Sequence, residues 1–253
     1  MLRLAAGLWF AFAFALVSAG FAAEPPIPVE DRARMLAGLE ARVATLDRAL
    51  AQTPDAVALL SQRGDCLLFL ARFPAAVADF EKTIALDPTQ DAPHWRLGIA
   101  YHFIGQFEKS SRQFEKYHAY DARDRENGIW KFLADAKTLG LEPARRAMLP
   151  YTRFDREPFP ALYDMLAGKK TSDALFADLE TRGLANDPKV MFFAHYYAGL
   201  QEETLGRRAP ALALLHKAVA NAWGRTAEGG PTYMWQVARL HYETMSAQPA
   251  GAR

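Results

Sequence analysis

An internal repeat constrains this sequence more than any other feature. The stretch "GDCLLFLARFPAAVADFEKTIALDP" (64–88) aligns without gaps with "GIAYHFIGQFEKSSRQFEKYHAYDA" (98–122). The matched pairs, each 34 residues apart, are Gly64 and Gly98, Phe73 and Phe107, Ala76 and Ser110, and Phe80 and Phe114. Small and aromatic residues at this spacing are typical of two short helices that pack closely as a hairpin. A single hairpin leaves one apolar face uncovered, so we predict an all-α array of stacked hairpins.

The rest of the chain divides around these two copies. The predicted segments of a helical array over 32–246 are a leading helix 32–52, repeats at about 57–90 and 91–124, a degenerate repeat at 125–150, a short-helix insert at 151–187, a late repeat at 188–223 and a C-terminal capping helix at 230–246. No alternation of period two persists, so the sequence predicts no strand. A terminal helix is the expected way to close such an array.

The first 22 residues have the pattern of a secretory signal peptide. A single Arg3 precedes the apolar run 4–17, and the segment 20–22 fits a small-residue cleavage site. This run is shorter than the ~20 residues that a membrane-spanning helix needs. We therefore expect cleavage near Ala22, a proline-rich leader at 23–31 and a disordered tail at 247–253. The mature protein is then exported, periplasmic or secreted, and soluble; an uncleaved N-terminal anchor is the alternative.

Charge balance argues against nucleic-acid binding, and the single cysteine excludes an intramolecular disulfide. The chain has 30 Lys+Arg against 29 Asp+Glu, which leaves no basic surplus for nucleic-acid phosphates. Its single cysteine, Cys66, has no partner for an intramolecular disulfide. Packing alone is therefore expected to hold the fold.

The sequence lacks the motifs that catalysis and metal binding require. None of the six histidines has another histidine four residues away, and neither H-E-x-x-H nor G-x-S-x-G occurs. Neighbouring carboxylates such as Glu202 and Glu203 diverge on a helix, so they cannot flank one bond. We predict a non-enzymatic protein with no catalytic residue, no metal and no cofactor.

The 34-residue period and its small–aromatic pattern resemble the tetratricopeptide-repeat (TPR) family. The segments "YDMLAGKKTSDALFADL" and "FAHYYAGLQEETLGRRAPALALLHKAVAN", following the two full repeats, resemble the NlpI-type periplasmic TPR lipoproteins of bacteria. That resemblance implies a homodimeric adaptor for exported proteins, such as a carboxy-terminal processing protease or peptidoglycan hydrolases. The sequence departs from that family because it has no lipid-anchor cysteine, which puts tethering to the outer membrane in doubt. The alternative is a structural subunit of an envelope assembly.

The resemblance to TPR proteins also implies roles for individual residues. The concave, partner-binding face would be lined by Phe69, Trp95, Ile99, His102, Phe103, Tyr196 and Leu200. The contacts within and between repeats would be made by Gly64, Phe73, Ala76, Phe80, Gly98, Tyr101, Phe107, Phe114, Gly199 and Ala211. Trp95, Ile99 and Phe103 share one helix face. They either form an aromatic groove for a peptide or pack under the capping helix and between repeats. Asp65 and Ile99 stand where chaperone-binding TPR domains need asparagine, which disfavours binding of chaperone tails.

The leading helix carries an apolar stripe. Its members are Leu36, Leu39, Val43, Leu46 and Leu50. Such a stripe packs either within the chain or against a second copy of it. The second arrangement would provide the interface of the homodimer.

Overall fold

The computed structural model describes residues 25–230 and 232–248, and these residues form thirteen α-helices, two 3₁₀ turns and no strand. The helices are α1 (Val29–Gln52), α2 (Val57–Phe69), α3 (Phe73–Leu86), α4 (Trp95–Phe103), α5 (Phe107–Tyr120), α6 (Arg125–Thr138), α7 (Leu141–Arg146), α8 (Phe159–Leu166), α9 (Ser172–Thr181), α10 (Pro188–Thr204), α11 (Arg208–Ala220), α12 (Ala222–Thr226) and α13 (Tyr233–Ala247). The all-α prediction is confirmed.

Consecutive helices pack as hairpins in chain order. The pairs α2–α3, α4–α5, α6–α7 and α10–α11 are in contact, and α1 packs on α2 as the preceding layer. Helices α8 and α9 form the insert, which packs on α6 and α10. The predicted signal peptide 1–22 and residues 249–253 of the predicted tail lie outside the described residues.

Glycines allow the two helices of each repeat to approach closely. A Cβ atom on Gly64 would lie 2.5 Å from Phe80 Cε1, and one on Gly98 would lie 2.7 Å from Phe114 Cε2. Both phenylalanines are fully buried. The late repeat uses the same arrangement with Leu215 as the partner of Gly199. A larger residue at these glycines would force the hairpin apart.

The other repeat-packing residues lie between helices or between repeats. Ala76 and Ala211 are fully buried, whereas Phe73, Phe107 and Tyr101 retain some exposure. The ring of Phe73 stacks on Phe103 of the next repeat with a centroid distance of 4.6 Å. The Tyr101 hydroxyl donates to Glu81 Oε1 at 2.7 Å. These contacts join one hairpin to the next.

The turns inside the repeats share one backbone arrangement. Helix α4 ends at Phe103, and Gly105 two residues later has a φ of +73°; the Gln106 N–H that follows donates to the Tyr101 carbonyl. The equivalent turn after α2 has Ala71 in the same left-handed region, with φ of +58°. A residue in this region caps the helix by closing a bond across its last turn. Glycine adopts this region without the steric cost that alanine meets.

Side-chain caps fix the start of the helices around the insert. The Asp187 carboxylate accepts the backbone N–H groups of Lys189 and Val190 at 2.8 and 3.2 Å, at the start of α10. The Thr171 hydroxyl accepts the N–H of Ala174 at the start of α9. These short polar side chains satisfy helix N–H groups that have no partner inside the helix.

The apolar stripe of α1 packs within the chain. Val43, Leu46 and Leu50 are buried, while Leu36 and Leu39 are half-buried. Since α1 packs mainly on α2, the intramolecular alternative accounts for most of the stripe.

Over the described ranges, no helix combines the length and the apolar character needed to cross a membrane.

Candidate functional site

Helix α13 packs most extensively on α11 of the late repeat. From there its side chains also reach the first helix of every repeat, namely α2, α4, α6 and α10, which form the concave face of the array, through the pairs described below. Seven consecutive residues of α13, from Trp235 to His241, are buried. A terminal capping helix would bury one side only, whereas α13 is surrounded on all sides along this segment.

At the N-terminal end of α13, aromatic rings join it to the first two repeats. The Tyr233 ring meets Phe69 edge-on with a centroid distance of 4.8 Å, and it meets Trp95 at 4.6 Å. Phe69 also contributes its backbone carbonyl, which accepts a hydrogen bond from Arg239 Nη2 at 2.5 Å. Phe69 and Trp95 are therefore half-buried against the chain's own helix.

Around the middle of α13, His241 is the common neighbour of three repeats. Its ring lies 4.6 Å from Phe103, 6.0 Å from His102 and 5.8 Å from Trp130. Its Nδ1 is hydrogen-bonded to the Tyr196 hydroxyl at 2.9 Å. Burial lowers the pKa of His241 to about 3, and burial likewise lowers the pKa of His102 to about 3. Both rings are therefore neutral at pH 7.

These contacts correct the predicted open groove. Ile99, Tyr196 and Leu200 are 0%, 0% and 3% exposed, so they are core residues and present no surface to a partner. Phe69, Trp95, His102 and Phe103 are half-buried and face α13. Phe69, Trp95, His102 and Phe103 thus pack under the terminal helix, which was the alternative to an open groove. The physical reason is that an aromatic concave surface gains more by burial against a tethered helix than by exposure to water.

Charged side chains fasten α13 to the opposite end of the chain. The Arg239 guanidinium is 1% exposed and donates to Glu243 at 2.8 Å and to Gln236 at 3.0 Å. Glu243 also accepts two bonds from Arg32 of α1, at 2.7 and 3.1 Å. Helix α13 thus ties the first layer of the array to the last.

One cavity stays open beside the N-terminal end of α13. It has a volume of about 710 Å³, within the range of small-ligand and side-chain sites. Its lining comprises Trp95, Phe114, Asp124, Glu126, Asn127, Trp130, Lys189, Phe193, Trp223, Ala227, Gly229, Gly230, Thr232, Tyr233 and Met234. We call this space the aromatic cavity. Of the predicted binding residues, Trp95 alone lines it.

The walls of the aromatic cavity are rings held by the surrounding helices. Trp223 of α12 packs on Phe193 with a centroid distance of 6.0 Å. The Thr232 N–H, just before α13, donates to the Gly224 carbonyl of α12 at 2.9 Å. Lys189 of α10 places its ammonium 5.9 Å from the Trp223 ring centroid. The chain's own cation thus lies on one wall.

A network of carboxyl and guanidinium groups lies at the start of α6, beside the aromatic cavity. Arg156 donates to Asp124 at 3.0 Å and to Glu126 at 2.5 Å. Asp155 accepts from the Arg125 N–H at 3.0 Å and lies 3.4 Å from the Arg125 guanidinium. Three carboxylates therefore share two guanidinium groups.

Burial raises the pKa of Glu126 to about 7, although the charge of Arg156 opposes this shift. The Asp124 charge adds to the rise, because two carboxylates disfavour each other's ionisation. The Tyr197 hydroxyl donates to Glu126 Oε1. Both Glu126 oxygens are thus engaged by the protein itself.

The sequence alone did not reveal the aromatic cavity. The segment 121–127 looks like a set of solvated helix caps, and Trp130 looks like the remnant of a degenerate repeat. Trp223 and Tyr233 stand more than a hundred residues after Trp95. The tryptophans are visible in the sequence, but their positions do not show which of them come together in the fold.

Among the residues that the structure describes, no group of three or more His, Cys, Asp or Glu is placed to hold a metal ion.

Comparison with known proteins supports the repeat but not the finer resemblance. No family model matches the chain. The Hsp70-Hsp90 organizing protein of Triticum aestivum, a TPR protein, is 32% identical over 143 residues, which are 56% of this chain and 23% of that protein. The chain therefore spans less than a quarter of the length of this relative. The stacked hairpins are consistent with a TPR superhelix, and part of the chain is distantly similar to a TPR protein.

Proposed function

We propose that the protein is a non-enzymatic TPR scaffold that binds other proteins through the aromatic cavity. The observation that carries this proposal is the position of the cavity. The concave face is filled by α13, and the cavity is the part of that face where Trp95, Trp223 and Tyr233 remain half-exposed. Half-exposed tryptophan and tyrosine side chains are the residues that most often anchor protein interfaces.

The compartment and the partners are proposals that rest on the sequence. The signal-like segment 1–22 supports export, and the resemblance to NlpI-type proteins suggests a carboxy-terminal processing protease or peptidoglycan hydrolases as partners. The partner is then an exported protein or peptide. Binding of nucleic acid is not proposed, since positive and negative charges are balanced.

A structural subunit of an envelope assembly remains the alternative. Such a subunit would expose a continuous apolar face. On the described surface, the exposed large hydrophobic residues are Val29, Leu86, Tyr120, Leu139 and Phe154, which belong to separate elements. The scaffold proposal has more support.

Glu126 is the feature that would suit an enzyme, because a carboxyl with a pKa near 7 can exchange protons at neutral pH. Its two oxygens, however, are held by Arg156 and Tyr197. The described residues that line the cavity include no serine, cysteine or histidine to act as a nucleophile or relay. A binding role therefore accounts better for this site.

Capture of partners tests the scaffold proposal. The purified protein would be cross-linked in the exported fraction of its own cells, and the captured proteins would be quantified by mass spectrometry. We expect enrichment of a protease or cell-wall hydrolase that Trp223→Leu loses and Tyr120→Leu keeps. Tyr120 is a matched control because it is 64% exposed and outside the cavity. Equal capture by Trp223→Leu would refute the cavity as the binding site, and capture of nothing would refute the scaffold.

The homodimer is a proposal from the resemblance alone. Because α1 buries Val43, Leu46 and Leu50 within the chain, its apolar stripe offers little for a second copy. Sedimentation at micromolar concentration tests it, and a monomer would contradict it.

A further inference from the structure

We propose that the aromatic cavity binds a basic side chain, arginine or lysine, of the partner protein. The hydrocarbon stem would lie against the rings of Trp95, Trp223 and Tyr233 that line the cavity, and the charge would face Asp124 and Glu126. This inference rests on the proposed scaffold function and names the chemistry of the segment that the scaffold binds.

The first support is the aromatic wall. Tryptophan faces attract cations most strongly among the aromatic side chains. Lys189 shows this within the chain, since its exposed side chain places Nζ 5.9 Å from the Trp223 centroid. A ligand cation in the cavity would meet the same ring.

Charge balance is the second support. Asp124, Glu126 and Asp155 carry three formal negative charges, and Arg125 and Arg156 carry two positive ones. Of the charged residues that line the cavity itself, two are acidic, Asp124 and Glu126, and one is basic, Lys189. An anionic ligand would meet Lys189 at the rim but would also meet Asp124 and Glu126 in the lining. Like charges at such a site are unfavourable, so the network selects against an acidic side chain.

The third support is the state of Glu126. Its raised pKa, caused mainly by burial, shows that Arg156 does not fully stabilise the carboxylate. A second cation nearby would favour the ionised form. Binding of a basic side chain would therefore satisfy a charge that the free protein leaves under-compensated.

Titration with short peptides tests this inference. The probes are pentapeptides Gly-Gly-X-Gly-Gly with blocked ends, in which X is arginine, norleucine or glutamate. The readout is the indole N–H resonances of the full chain labelled with nitrogen-15. We expect the arginine peptide to shift the Trp95 and Trp223 signals to saturation, with affinity about ten-fold above that of the norleucine peptide. The glutamate peptide should cause no shift.

Two substitutions with opposite signs sharpen the test. Trp223→Leu should weaken arginine-peptide binding about ten-fold, with unchanged circular dichroism as the check on folding. Lys189→Gln should tighten it about three-fold, because it removes a competing cation from the wall. Since Lys189 is exposed, this variant should fold normally. Tyr120→Leu should leave the affinity unchanged.

Each outcome decides between the two proposals. Equal or tighter binding of the norleucine peptide would overturn the basic side chain as the ligand, and partner capture would then stand alone. Absence of binding by every peptide, or weaker binding by Lys189→Gln, would also overturn it. Arginine-peptide binding without capture of any protein would support the cation site and refute the scaffold.

Discussion

At the scale of single residues, the turns show how closely the repeats follow one design and where one of them departs from it. Gly105 and Gly206 both have φ of +73° at the end of the first helix of a repeat. Ala71 holds the equivalent position 34 residues before Gly105, with φ of +58°. A side chain in this region is strained, and Ala71 is exposed, so the strain has no packing benefit.

Ala71→Gly should therefore stabilise the protein by about 1 kcal/mol. The matched change Gly105→Ala should destabilise it by a similar amount. The new Cβ would meet no atom within 4 Å, so the cost would come from the left-handed backbone conformation alone. Urea unfolding followed by circular dichroism measures both. Destabilisation by Ala71→Gly would show that the flexibility of the unfolded chain outweighs the strain.

The buried His102 makes the stability of the fold depend on pH. Burial lowers its pKa to about 3, the charges of His241 and Lys137 add to this, and Glu203 opposes it. The unfolded state takes up a proton near pH 6.5 whereas the folded state does not, so stability is lost as the pH falls below 6.5.

Between pH 7 and pH 5, His102→Leu should lose about 2 kcal/mol less stability than the unchanged protein. Glu126 and the other buried histidines act in both proteins and cancel in the comparison. Urea unfolding at the two pH values measures the difference. Parallel losses in the two proteins would mean that His102 is protonated in the folded state.

At the scale of elements, α13 makes more contacts than the predicted terminal cap. It packs on α11 of the last hairpin, and it also reaches the first helices of the earlier repeats along the concave face. Arg239 shows why the position is specific: its fully buried guanidinium reaches the carbonyl of Phe69, 170 residues earlier in the chain. A buried charge is tolerated only when its donors are satisfied in this way.

Arg239→Leu should destabilise the protein by about 3 kcal/mol, because it leaves the Phe69 carbonyl without a donor and breaks a partly buried ion pair with Glu243. Arg34→Leu is the matched control. Its side chain is 78% exposed and its contact with Asp31 is 3.7 Å long, so the change should be within about 0.5 kcal/mol. Thermal and urea unfolding compare the two variants. A neutral Arg239→Leu would show that apolar packing can replace the network.

At the scale of the whole molecule, α13 turns an open array into a closed one. Open arrays unfold repeat by repeat, because each repeat contacts only its neighbours. Here α13 contacts α2, α4, α6 and α10 through Tyr233, His241 and their ring partners, and Glu243 holds Arg32 of α1. Loss of one layer therefore exposes surface on the others.

We expect the described array to unfold in one cooperative step. Circular dichroism, which reports all helices, and tryptophan fluorescence, which reports the centre of the molecule, should give coincident urea transitions. Helix loss that precedes the fluorescence change would contradict this expectation. It would show that the outer layers unfold independently of α13.

The sequence by itself determined the class of fold and the local design of the repeats. Gly64 packs against Phe80 and Gly98 against Phe114, each pair within its own hairpin, and the sequence shows the spacing of each pair directly. The period of 34 residues follows from the size of two short helices and their turns. Such features depend on contacts between near neighbours in sequence, which a periodic pattern records.

Tertiary structure alone decided what covers the concave face and what stays open. Phe103 and Tyr196 look like groove residues by their register, yet both meet His241, a residue of the last helix. The aromatic cavity likewise needs Trp95, Trp130 and Trp223 to converge from three helices. Register shows which face a side chain lies on but not which distant element packs there. That choice is made by burial of apolar surface, which has no direction along the chain.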